Sequence, residues 1–150
     1  MAVFGCKLTG RQRIMKRIMV CVILLLTAAS SYADIEEFRY FSLNIPDGWT
    51  ANESGDVVSV NADDRSGSLT ITVGDPKGES IGGLAVKFSR ELNGTSPVSD
   101  DEDGWSFECN NGISQAVIAG DEDFYMMIIS TGFMNNAETL GEILSSLEMK

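Results

Sequence analysis

Hydrophobic and polar positions change period several times along this chain, and each change marks an element. From Tyr40 to Pro46, the apolar Phe41, Leu43 and Ile45 alternate with polar neighbours, the period-two pattern of a strand with one buried face. Pro46-Asp-Gly48 closes that strand as a turn. Val57–Asn61 and Ser68–Val73 repeat the alternation on either side of the polar connection Ala62-Asp-Asp-Arg-Ser-Gly67. Leu69, Ile71 and Val73 oppose Ser68, Thr70 and Thr72, which predicts half-buried antiparallel strands. The period then lengthens. Ile81, Leu84, Ala85, Phe88 and Leu92 fall on one stripe of a helix, with Ser80 as its cap and Asn93-Gly94 as its stop.

Three further strands follow, over 104–110, 113–119 and 124–131. Asn111-Gly112 joins the first two with the strongest short hairpin signal a sequence can carry, and Gly120-Asp-Glu-Asp123 joins the next pair. Phe124-Tyr-Met-Met-Ile-Ile129 is apolar on both faces, so this strand belongs at the centre of a sheet covered on both sides. Asn135-Asn-Ala-Glu138 then predicts a capped helix start, and Ala137, Leu140, Ile143, Leu144 and Leu147 make a second helical stripe. The elements add up to an α+β domain: an antiparallel sheet of about six strands packed by two helices.

The N-terminus follows none of these patterns. Lys7, Arg11, Arg13, Lys16 and Arg17 precede the apolar run Ile18-Met-Val-Cys-Val-Ile-Leu-Leu-Leu26, and small residues at Ser31 and Ala33 precede Asp34. A basic stretch, a short apolar run and a small-residue exit describe a secretory signal peptide over 1–33, since a membrane span needs about 20 apolar residues. A single domain over 34–150 is expected beyond it, periplasmic or secreted, with no stable membrane insertion after cleavage.

Charge sharpens that reading. All 22 acidic residues of the 150-residue chain lie after position 33, whereas five of the 11 basic ones lie before it. The exported part, with six basic against 22 acidic residues, carries a formal −16 in place of the −11 of the whole chain. Such a surface repels nucleic-acid phosphates and anionic lipid, and it suits either simple solubility or a basic protein partner, between which composition does not choose. Cys109 is the sole cysteine after position 33 and the chain has no histidine, so an internal disulfide is excluded there and the commonest general base and metal ligand are missing. Trp105, Phe107 and Cys109 alternate, which puts the thiol on a core face beside two aromatics. Trp49 and Trp105 read as core residues. Gly82-Gly83 lacks the lysine of a phosphate loop.

The opening Phe41-Ser-Leu-Asn-Ile-Pro-Asp-Gly-Trp49 resembles the Ser-Leu-x-x-Pro-x-Gly-Trp start of PsbP-like domains, including periplasmic proteins of the DcrB type. A terminal helix ending like Ile143-Leu-Ser-Ser-Leu147 is also usual in that family. The resemblance covers the two ends of the exported part and implies a sheet sandwiched by helices, used for binding and assembly. It carries over no catalytic residue, because none matches.

Acidic turns are the remaining candidate chemistry. Ser99-Asp-Asp-Glu-Asp-Gly104 sets Ser99, Asp101 and Asp103 at positions 1, 3 and 5 of a calcium loop with Gly104 at 6, but position 12 is Asn110 and a strand follows instead of a helix. A looser oxygen cage from Asp100, Asp101, Glu102 and Asp103 is the metal reading, with calcium as the one ion to consider and no other cofactor expected. Asp63, Asp64, Asp121, Glu122 and Asp123 repeat the acidic style in two other turns. If all three turns shared one end of the sheet, they would form a single acidic rim facing a basic partner. The expected function is therefore a non-enzymatic exported domain binding a protein, in an immunity, inhibitor or assembly role. The alternative is a calcium or small-ligand module at 100–103, and paired-carboxylate catalysis ranks last.

Overall fold

The computed structural model describes residues 33–100 and 104–150, and the signal peptide read over 1–33 lies outside them but for Ala33. The strands are β1 (Ala33–Glu37), β2 (Phe41–Pro46), β3 (Trp49–Ser54), β4 (Val57–Ala62), β5 (Ser68–Gly74), β6 (Val98–Ser99), β7 (Gly104–Cys109), β8 (Ser114–Gly120), β9 (Tyr125–Thr131) and β10 (Glu148–Met149). The helices are α1 (Ile81–Glu91) and α2 (Phe133–Ser145). The described residues form ten strands, and they divide. Seven form one antiparallel sheet in the order β3-β4-β5-β9-β8-β7-β6, and β1-β2-β10 form a second sheet of three. The expected α+β arrangement, an antiparallel sheet of about six strands packed by two helices, stands, with seven strands in the main sheet and a second sheet of three beside it.

Chemistry explains who sits where. β9 is the central strand of the seven, as its apolar faces require: Met126 and Ile128 point into one core, and Met127, with half-buried Tyr125 and Ile129, into the other. The larger core lies between the main sheet and a layer made of the small sheet and α2. Leu69, Ile71, Val60 and Met126 meet Phe41, Leu43, Leu140 and Ile143 there, all at most 1% exposed. The opposite face carries α1, whose Ile81, Leu84 and Ala85 pack on Ile118 and Met127, with Phe107, Cys109 and Ala116 alongside. Burying one Leu or Ile side chain contributes roughly 1.5–3 kcal/mol, so the larger core dominates the stability. Trp49 and Trp105 are half-buried against the two cores.

Helix boundaries follow local rules. Ser80 has extended backbone and its Oγ accepts the Gly83 N–H at 3.0 Å, the expected cap. Gly82 follows because the Trp105 indole lies against it: a Cβ at Gly82 would stand 2.8 Å from Cζ2. Gly82 thus gives α1 room on an aromatic ring. α2 departs from expectation at its start. It begins at Phe133, after Gly132 at φ 74°, and the proposed cap region holds instead the non-helical Asn136 at φ −130°. Leu147 packs into the core just beyond the helix end.

Candidate functional site

Strand polarity decides which turns meet. In the antiparallel register, Gly104 pairs with Ala119, Gly120 with Tyr125, Gly74 with Tyr125, and Val57 with Thr72. One end of the main sheet therefore gathers Asp56 before β4, Asp75 after β5, Asp100 before β7, and Asp121, Glu122 and Asp123 between β8 and β9. At the other end, Asn61 pairs with Ser68, Ser68 with Thr131, and Thr131 with Ser114. Asp63 and Asp64 sit there, a sheet's length away. The single rim of three turns is corrected to a rim of two, joined by Asp56 and Asp75.

Each acidic turn is closed by its own carboxylate. Asp100 Oδ1 accepts the Gly104 N–H at 3.0 Å, and the Asp100 N–H donates to the Gly104 carbonyl at 3.0 Å. Asp121 Oδ1 accepts from the N–H groups of Asp123 at 2.9 Å and Phe124 at 3.2 Å. Asp75 Oδ1 accepts the Lys77 N–H at 2.7 Å. At the far end Asp63 Oδ1 accepts the Thr50 hydroxyl at 2.7 Å, and Asp64 Oδ1 the Ser66 N–H at 2.9 Å. Hydrogen bonds from Ser66, its hydroxyl first and then its backbone, hold the Asp64 carboxyl below the ordinary aspartate range. Of the four residues proposed as a metal cage, Asp100 is the one within the described residues; Asp101, Glu102 and Asp103 lie outside them. Among the described residues, no three Cys, Asp or Glu side chains gather as metal ligands would.

A groove of about 520 Å³ opens at the acidic end, between the two sheets. Arg39 and Tyr40 from the β1–β2 turn line it, with Asp56, Asp75, Asp123 and Phe124 opposite and Met149 of β10 and the following Lys150 alongside. Tyr40 Oη donates to Asp56 Oδ1 at 2.8 Å, and Arg39 Nη1 lies 3.3 Å from the same oxygen with its guanidinium 5.2 Å over the Tyr40 ring. The bond to Asp56 raises the Tyr40 pKa above its ordinary value, because a carboxylate acceptor stabilises the protonated phenol. Lys150 Nζ pairs with Glu37 at 2.8 Å and donates to the Phe38 carbonyl at 2.6 Å. Sequence reasoning missed Arg39, Tyr40, Asp56 and Asp75. They come from three separate segments, 39–40, 56 and 75, and no spacing rule links them.

A second depression, about 660 Å³, lies at the start of α1 between Ser80, Gly82, Trp105, Asp121 and Glu122. Cys109 is 1% exposed, and burial pushes its thiol pKa up, which keeps it protonated and unreactive. Among the described residues, no helix is long and apolar enough to cross a membrane.

The fold is PsbP-like. The chain is similar to the solution structure of cyanobacterial PsbP (CyanoP) from Synechocystis sp. PCC 6803, with a TM-score of 0.52 and 13% identity over 83% of this chain and 98% of that one. It is also similar to a crystal structure from Bacteroides thetaiotaomicron VPI-5482, at a TM-score of 0.43 and 19% identity over 73% of this chain. It spans 45% of that longer protein. No family model and no curated protein matches the sequence. At these identities the likeness is one of architecture.

Proposed function

We propose that this chain is an exported, non-enzymatic domain that binds a basic protein partner at the acidic end of its main sheet. The observation that carries the reading is the convergence there of Asp56, Asp75, Asp100, Asp121, Glu122 and Asp123 from four separate turns. Carboxylates clustered on one end of a net-negative domain focus a field that steers a cation-rich surface toward it. Export is supported by the basic, apolar and small-residue order of the first 33 positions. The non-enzymatic reading is supported by the lack of histidine in the sequence and by the burial of Cys109, whose thiol has no access to a substrate.

Two experiments test it. N-terminal sequencing of the protein recovered from the periplasm or medium is expected to begin at Asp34; an intact N-terminus in the cell interior would remove the exported role. Calorimetric titration with decalysine is expected to show binding that weakens steeply with salt, since exposed charges are screened beyond about 8 Å at physiological ionic strength. Neutralising Asp121, Glu122 and Asp123 together should abolish most of that binding, whereas neutralising Asp63 and Asp64 should spare it. Equal losses from both would reduce the effect to overall charge and overturn the assignment to one end.

A further inference from the structure

The groove at the acidic end has features that a bare cluster of carboxylates lacks. It is a cleft of about 520 Å³ between two sheets, one aromatic ring on its wall already has a guanidinium over it, and its charges are unevenly matched. Arg39 is paired with Asp56 and Lys150 with Glu37. Asp75 and Asp123, on the facing side, have no cationic partner among the described residues. The side chains of Arg39 and Asp56 are 64% and 53% exposed, and an ion pair as exposed as this contributes little, about 0–1 kcal/mol. Arg39 thus sits where a guanidinium fits, held weakly.

Resting on the proposed binding of a basic partner, we propose that this groove is the seat for an arginine side chain of that partner, and that Arg39 is the placeholder it displaces. The incoming guanidinium stacks on the Tyr40 ring, forms charge-assisted hydrogen bonds with Asp56, and gains the unmatched charges of Asp75 and Asp123. Arginine suits the position better than lysine, because its planar, weakly hydrated head pairs with carboxylates and stacks on rings at once. Arginines seated in a cleft are also frequent anchors of protein interfaces. Arg39 would then swing into solvent at little cost, since its backbone N–H stays fixed to Glu53 Oε1 at 2.8 Å.

The test is an NMR titration of the protein with a blocked Gly-Arg-Gly peptide, with the citrulline analogue as the uncharged control. Arginine should shift the amide signals of residues 39–40, 56, 74–75 and 123–124, and citrulline should leave them in place. Arg39→Gln should tighten the arginine peptide by about three- to tenfold, as the competing cation is removed. The Asp75→Asn, Asp123→Asn double variant should weaken it several-fold. Both variants should melt close to the parent, because each changes exposed side chains. Weaker binding by Arg39→Gln, equal shifts from citrulline, or equal shifts at residues 63–66 would each overturn the inference. If decalysine still binds at the acidic end while the arginine peptide fails, the groove is not the seat but the wider reading stands. If both fail, both fall.

Discussion

The two ends of the main sheet carry the same kind of acidic turn and use it differently. At the far end the turn is stitched into the fold. Asn136 Nδ2 donates to the carbonyls of Ser66 at 3.1 Å and Gly132 at 3.2 Å, Ser114 and Thr131 share a 2.7 Å hydroxyl bond, and Asn110 Nδ2 reaches Ser114 at 3.0 Å. Asp63 and Asp64 belong to that stitching through Thr50 and Ser66. At the acidic end Asp75, Asp100 and Asp121 close their own short turns, Asp56 reaches across to Tyr40 and Arg39, and the space between the turns stays open as a groove. Composition is alike and topology differs. A turn becomes structural where a neighbouring element crosses it, as the start of α2 crosses Ser66. It becomes surface where neighbouring strands simply end beside it.

The sharpest way to break the contrast is at Gly132. Its φ of 74° lies in the left-handed region, and a Cβ there would fall against the Ser66 carbonyl oxygen. Backbone cannot step aside as a side chain can, so Gly132→Ala should cost about 3 kcal/mol. A thermal melt should show the midpoint lowered by roughly 10 °C in a domain of this size. Next in size is Asn136→Ala, which removes two bonds to backbone carbonyls and should cost about 1–2 kcal/mol. Decalysine affinity should be unchanged in Asn136→Ala, because the damage lies at the far end. The same measurement on Asp123→Asn should leave stability within about 0.5 kcal/mol while reducing affinity. A reversal of these two outcomes would mean that the ends have been assigned the wrong roles.

How much of this was legible in the sequence depended on burial. β5, with every second residue buried, and α1, with one apolar stripe, announce themselves because one face of each meets a core. β9 declares its central place by having no polar face over its first half. β3, Trp-Thr-Ala-Asn-Glu-Ser, is an edge strand with its last three residues exposed, so its alternation fades, and β1 shows an exposed Ile35. β6 and β10 are two residues each, below any periodic signal. The start of α2 misled because Asn135 and Asn136 look like a cap, yet Asn136 turns its side chain back to Ser66, a contact 70 positions away. Acidic turns were visible as turns. Which end each one reaches is a matter of strand order, and nothing local encodes it.

A smaller effect concerns the phenol in the groove. The hydrogen bond to Asp56 raises the Tyr40 pKa, so its stabilising contribution is present below the ordinary tyrosine pKa and is lost as pH rises through the raised value. Ultraviolet titration should therefore show late ionisation of Tyr40, and Asp56→Asn should bring it earlier. Burial delays Tyr125 as well, and the Asp56 charge adds to the delay, so Asp56→Asn should bring Tyr125 earlier too, and Tyr40→Phe tells the two signals apart.

The smallest expected effect lies at the far end and has the opposite sign. Ser66 lowers the Asp64 pKa in the folded chain, so ionised Asp64 favours folding above the ordinary aspartate pKa, and that contribution is lost as pH falls through the lowered value. Asp64→Asn keeps an oxygen that can accept the Ser66 N–H but cannot titrate. Its stability should therefore be nearly that of the parent at neutral pH and fall less steeply in acid. Chemical denaturation at a series of pH values measures both limbs. A parallel acid limb would mean that the Ser66 bonds hold the loop whether or not Asp64 is charged. The turn would then be fixed by Gly132 and Asn136 alone, and the carboxylates at the two ends would be more alike than their surroundings.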